Sequence, residues 1–375
     1  MKAFRRGAVR RVGTLDGAFG APSPFGKALL KRDSGGGERR SFGLAKRQTR
    51  RSLTILAIKR LKSVKKGAAV NSREAVEAEI KENVERVRER IDAAAERSGR
   101  RGSDVTLVAV SKYSAPDDGV VSGLLRAGAF DLGENRPQKF LEKANFWAAS
   151  PYWNPDVPPL DFAPRRSGSA DEANVASTLE GVASKSVANA AQGANGDVSS
   201  AGRLRWHFIG PLQRNKARRI LPFVSLLHSV DSLKLLEALD RILTEENERV
   251  AAGGRRPDEP IFPETISALL EVRLSDDAAK QGFEPDELLD ALPKTAAFRR
   301  VKIRGLMGMA GLTATEAETR RQFAALRELR DRCRAQFPEF SDFTELSMGM
   351  SGDFETAIEE GATLVRVGSI LYPAT

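Results

Sequence analysis

The sequence predicts an α/β fold, a single (β/α)8 TIM-like barrel entered through an N-terminal helix. Two observations carry that expectation. From Val105 onward, short apolar runs of β character alternate with amphipathic helical stretches, and eight such runs occur. The segments richest in chemically useful residues all fall where those runs end, the face on which such barrels place their sites. A chain of 375 residues with 41% hydrophobic content suits one barrel with additions and can bury a sizeable core.

Residues 1–70 are rich in Arg, Gly and Ser and show no sustained periodicity, so they are expected to form a basic, disordered arm. Translated sequence upstream of the true start, an organelle-targeting segment and a nucleic-acid-binding tail are the other readings of that composition. Residues 1–72 hold 19 Lys or Arg against Asp16, Asp33 and Glu38, a charge of +16. The whole chain carries +10, so the remainder carries −6, and the folded body is not expected to bind nucleic acid. The apolar run Leu53–Ile58 is too short to span a membrane and sits between Arg51 and Lys59. The lone cysteine, Cys333, excludes an internal disulfide and reads as a packed thiol on a helix face. The composition fits a cytoplasmic setting.

Order is expected from residue 71, in one domain spanning 71–375. Val76, Ile80, Val84, Val87 and Ile91 recur at helical spacing, with Asn71 or Ser72 to cap the start and Gly99 to end it. The β runs are Val105–Val110, Phe130–Gly133, Trp206–Ile209, Leu226–Val230, Ser267–Leu274, Val301–Leu306, Thr344–Leu346 and Leu364–Val367. Helices are expected between them, among them Ser232–Val250, Glu316–Gln336 and Asp353–Glu360. Residues 148–203 carry Pro151, Pro155, Pro158 and Pro159 and then a Ser/Ala/Gly/Asn-rich tract, which reads as a flexible insertion after the second run.

The chemistry sits at the run ends. Lys112 directly follows Val108-Ala109-Val110-Ser111. Desolvation at a strand mouth disfavours an ammonium, and a neutral amine there attacks aldehydes to form a Schiff base. Asn135, in Gly133-Glu134-Asn135-Arg136, can donate to a ring oxygen or an anion. His207 and His228 are the only histidines. Two such rings without a third ligand make a poor metal site, and a hydrogen-bonded pocket histidine is the better reading. Met307 ends the sixth run and can pack on an aromatic ring. After the last two runs, Ser347-Met348-Gly349-Met350-Ser351 and Arg366-Val367-Gly368-Ser369 offer small residues, hydroxyls, a fixed charge and a helix start near 351. That combination suits a phosphate. Taken singly, each has a plainer reading: a solvated lysine, a turn asparagine, a satisfied core histidine, a core methionine, ordinary Gly/Ser turns.

Together these segments resemble the pyridoxal 5'-phosphate homeostasis protein family, stand-alone relatives of the barrel domain of alanine racemase. The resemblance runs from about Asn71 to Tyr372 without the insertion and includes the Gly-Pro-Leu-Gln-x-Asn-Lys signature at Gly210–Lys216. It implies pyridoxal 5'-phosphate (PLP) as cofactor, with Lys112 as its Schiff-base lysine. It also implies phosphate binding at Ser347, Gly368 and Ser369, Arg366 beside the pyridine nitrogen, and Met307, Asn135 and His207 lining the pocket. Two departures stand out. Glu271-Val272-Arg273 replaces a Glu-Val-Asn-like run, and Arg136-Pro137 follows Gly-Glu-Asn.

The function implied is PLP binding and intracellular PLP homeostasis, with release to apo PLP-dependent enzymes, by a monomer. A PLP-dependent amino-acid racemase is the alternative. Such racemases need a second acid–base group and a further domain. Tyr113 adjoins Lys112, Tyr152 lies in the insertion and Tyr372 in the tail, so none is an obvious second base.

Overall fold

The computed structural model describes residues 73–112, 114–148, 150, 204–254, 256, 259–275 and 281–373. The arm 1–70, the proposed caps Asn71 and Ser72, Tyr113 and nearly all of the insertion, Tyr152 included, lie outside the described residues. Helix α1, residues 73–97, buries Ile80, Val84, Val87 and Ile91 as its spacing requires. It ends at Gly99, whose φ of +70° suits a residue without a Cβ.

Eight parallel strands then close a barrel in chain order. They are β1 Thr106–Val110, β2 Asp131–Glu134, β3 Arg205–Phe208, β4 Val224–Val230, β5 Ile266–Val272, β6 Val301–Gly308, β7 Glu345–Ser347 and β8 Leu364–Val367. The helices between them are α2 Val120–Arg126, α3 Pro137–Trp147, α4 Arg214–Ile220, α5 Leu233–Ala251, α6 Pro285–Ala291, α7 Glu316–Gln336 and α8 Phe354–Glu359. Every residue of β4 and β5 is buried, as parallel strands covered on both faces must be. The two longest of the helices between strands start on side-chain caps. Ser232 accepts from the Leu235 N–H, and Thr315 with Glu318 forms a reciprocal capping box.

Side chains inside the ring divide by chemistry. Val108, Leu226, Leu269, Met307 and Leu364 form a separate inner apolar cluster. Above and beside it the inner positions are polar. The outer apolar faces of the strands pack against the helices in the main core, where Cys333 is buried. No helix among the described residues is long and apolar enough to cross a membrane.

Most of the expected boundaries shift by one or two residues. The fourth strand starts at Val224, the fifth ends at Val272, the sixth run extends to Gly308, the seventh strand is Glu345–Ser347, and α8 begins only at Phe354. The last has a local cause: the Asp353 carboxylate accepts the Met350 N–H at 2.5 Å and holds 350–353 as a turn. The expected helix-dipole contribution near Ser351 is therefore not there, because residues 351–353 precede a short helix.

Candidate functional site

Lys112 stands half-buried two residues beyond the end of β1. Val108 faces the inner cluster, strand alternation carries Val110 toward the same side, and Lys112 follows in the turn beyond the strand. The end of β1 is pinned from three directions. The Ser111 N–H donates to the Gly133 carbonyl at 2.9 Å, the Tyr372 hydroxyl donates to the Val110 carbonyl, and Lys143 Nζ donates to the Ser111 carbonyl. Tyr372 thus serves the platform beneath the lysine. Burial pushes its phenol pKa up.

Lys143 and Glu134 are both fully buried and pair at 2.6 Å. The other Glu134 oxygen accepts the backbone N–H groups of Asn135 at 2.9 Å and Arg136 at 3.2 Å, so the pair shapes the turn after β2. Pro137 opens α3 at its first turn, a position that suits proline, so the Arg136-Pro137 departure is compatible with that helix start. The sequence reading missed this pair. The signal was present: Lys143 lies on the same helical stripe as Phe140, Ala144 and Trp147. The Asn135 side-chain oxygen is buried with no hydrogen-bond partner.

The two Gly/Ser turns meet. The Gly368 N–H donates to Ser351 Oγ at 3.1 Å, and the Arg366 N–H donates to the Gly349 carbonyl at 3.0 Å. Gly349 has φ +89°, and a Cβ there would fall 2.6 Å from the Ala357 Cβ, so only glycine fits. Ser369 is exposed at the start of the final 3-10 turn, Ser369–Leu371. Strand β8 pairs with β1 in the register Val108 to Arg366 and Ala109 to Val367. The turn Gly368-Ser369 and the lysine therefore end adjacent strands at similar height.

Ser347 departs from its expected place. It lies in β7 at a wholly buried inner position, in register with Met307 and Leu364. Its Oγ accepts from Arg366 Nη1 at 2.6 Å and lies 2.8 Å from His228 Nδ1. The hydroxyl next to the Gly368 backbone belongs to Ser351. Arg366 also donates from Nη2 to the Gly308 carbonyl at 3.1 Å. Burial lowers its guanidinium to about 10, against the charges of Asp353 and Glu271, so it remains a cation at neutral pH.

His207 is likewise not at the mouth. It is fully buried in β3, one layer down, with Nε2 2.9 Å from Asp131 Oδ1 and Nδ1 2.9 Å from His228 Nε2. Burial pushes the Asp131 carboxyl up, but the His207 hydrogen bond and the Arg205 charge outweigh it and hold the group down at about 2. Burial lowers His207 despite Asp131, and lowers His228 further, with His207 and Arg366 adding to the effect. Met307 is 1% exposed within the inner cluster, and half-buried Met309 packs over it from the mouth side. Glu271, the inner residue near the end of β5, is pushed up to about 7 by burial and by Asp231, against Arg366. Arg273 pairs with Glu284.

An eight-stranded parallel barrel with an amine after β1 and a Gly/Ser turn after β8 defines a class. Residues 77–375 match the family model described as alanine racemase, N-terminal domain. The chain is 30% identical over 291 residues to the pyridoxal phosphate homeostasis protein of Aquifex aeolicus, covering 78% of this chain and 96% of that one. Among solved structures, a protein described as unknown from Bifidobacterium adolescentis is 32% identical with a TM-score of 0.56, over 79% of this chain and 95% of that one. PipY of Synechococcus elongatus PCC7942, solved with PLP bound, is 30% identical with a TM-score of 0.50, over 75% of this chain and 100% of that one. The chain belongs to the pyridoxal phosphate homeostasis protein family.

Proposed function

We propose that this chain binds PLP at the barrel mouth through Lys112 and serves PLP homeostasis, holding the cofactor and releasing it to other enzymes. The observation that carries the reading is the juxtaposition of β1 and β8, which sets Lys112 beside the Gly368-Ser369 turn. The residues present fit the group. Asn135 offers an unpartnered buried amide oxygen, Gly349 keeps a turn that a Cβ would fill, and Arg366 is a buried cation between them and the barrel interior. The relatives' printed names and PLP in the PipY structure point the same way.

PLP supplies an aldehyde that attaches reversibly to an amine. Lys112 would provide that amine. Ser351, Gly368 and Ser369 would hold the phosphate, with Ser351 replacing Ser347 in that role. Arg366 would donate toward the ring nitrogen. A permanent cation there disfavours protonating that nitrogen and weakens the ring as an electron sink, which favours holding over turnover. Asn135 would meet the ring substituents, and Met309, above Met307, the ring face. The folded unit is residues 71–375, it acts as a monomer in the cytoplasm, and apo PLP-dependent enzymes are its recipients.

The test is a titration of the cofactor-free chain with PLP, followed by absorption. The parent chain develops a band distinct from free PLP, and Lys112→Ala does not. A band of equal strength in the Lys112→Ala variant overturns the reading.

A further inference from the structure

We infer that His207 and His228 are positioning residues for Arg366, acting through a hydrogen-bonded chain that crosses the barrel from Asp131 to the mouth. The inference rests on the cofactor reading above. The chain has four links. His207 Nε2 lies 2.9 Å from Asp131 Oδ1, and His207 Nδ1 lies 2.9 Å from His228 Nε2. His228 Nδ1 lies 2.8 Å from Ser347 Oγ, which accepts from Arg366 Nη1 at 2.6 Å. All five residues are buried, and both imidazoles and Ser347 are 0% exposed.

Donor capacity fixes the direction of every link. A carboxylate only accepts and a guanidinium only donates. His207 therefore donates from Nε2 to Asp131. A neutral imidazole carries one N–H, so His207 Nδ1 accepts, and His228 donates to it from Nε2. His228 Nδ1 then accepts the Ser347 hydroxyl hydrogen, which leaves the Ser347 oxygen to accept from Arg366. The four bonds all point from Arg366 toward Asp131. No two donors and no two acceptors face each other, and no proton is needed beyond those of two neutral rings.

The barrel interior is a costly place for this set. A buried polar network is tolerable only when complete, and this one is. Apolar side chains fill the neighbouring inner positions. What the polar chain adds is a fixed placement for Arg366, whose Nη1 and Nη2 are both committed, to Ser347 and to the Gly308 carbonyl. One added proton on the histidine pair would make His207 Nδ1 a donor, reverse the next two links and release the Ser347 hydroxyl hydrogen from His228. Charged groups face the pair from both ends: Asp131 with Arg205 on one side, Arg366 on the other.

The test begins on the cofactor-free full chain labelled with nitrogen-15, where only two histidines need assignment. Both rings are expected to be neutral Nε2–H tautomers at pH 7. A charged ring, or an Nδ1–H tautomer at either position, overturns the chain. Ser347→Ala then removes the link next to Arg366. It is expected to speed PLP release about tenfold, the worth of one hydrogen bond to a charged group, and to move the bound cofactor's absorption band. A loss of global stability alone does not move that band. Release within about twofold of the parent, with an unmoved band, overturns the positioning role while leaving the cofactor reading intact. A parent chain that takes up no PLP overturns the cofactor reading and, with it, the task assigned to Arg366.

Discussion

Among the described residues near the mouth, Glu271 is a carboxyl that burial pushes into the neutral range. Burial and Asp231 push its pKa up to about 7, whereas an unfolded chain releases that proton at the ordinary carboxylate value. The native state therefore holds a proton that the unfolded state gives up. The stability contributed is fully present below the unfolded pKa and is lost as pH rises through about 7. In the cofactor-free chain, Glu271→Gln is expected to gain on the order of 2 kcal/mol over the parent at pH 8 and almost nothing near pH 4.5. Denaturant midpoints at both pH values check this, and an equal difference at both contradicts it. The opposite sign holds for Asp131. Its depressed pKa of about 2 contributes stability that is present above the unfolded carboxylate value and lost as pH falls through about 2. Lys143→Met leaves the Glu134 carboxylate buried without its partner and frees the Ser111 carbonyl beneath Lys112. A cost of about 3–5 kcal/mol is expected, and Lys143→Met with Glu134→Gln should recover part of it. The placement of Lys112 after β1 and of Arg366 in β8 was legible in the sequence because each follows or sits in an apolar run that ends in a recognisable motif. The histidine chain was not, because its links join β2, β3, β4, β7 and β8, and no local spacing records which inner side chains meet. The inward placement of Ser347 has the same origin: alternation in a three-residue strand turns it inward, and Ser351, four residues on, meets Gly368.

Among the elements, the turn between β7 and α8 has little freedom. Gly349 occupies a left-handed conformation against Ala357 and Phe354, so Gly349→Ala combines backbone strain with a collision. A loss of about 1–3 kcal/mol is expected in a denaturant titration. The same variant should bind PLP more weakly while binding pyridoxal, which lacks the phosphate, nearly as well as the parent does. An equal loss for both ligands would place the phosphate elsewhere. The strands were readable as elements because they are short, largely apolar runs separated by stretches of helical periodicity. Their ends were less so. The start of α8 is set by one carboxylate capturing one N–H, a contact that a hydrophobic pattern does not encode.

At the scale of the molecule, an eight-stranded ring gathers residues from positions 112 to 369 onto one face. Its closure between β1 and β8 gives the site its meaning. The basic arm and the insertion lie outside the described residues, and the barrel's account does not depend on them. That account stands on a reversible bond between one amine and one aldehyde. The most direct measurement loads the full chain with PLP, reduces it with borohydride, digests it and locates the mass gain by peptide mapping. The account predicts one stoichiometric adduct on Lys112. An adduct on another lysine, or none at all, would contradict it.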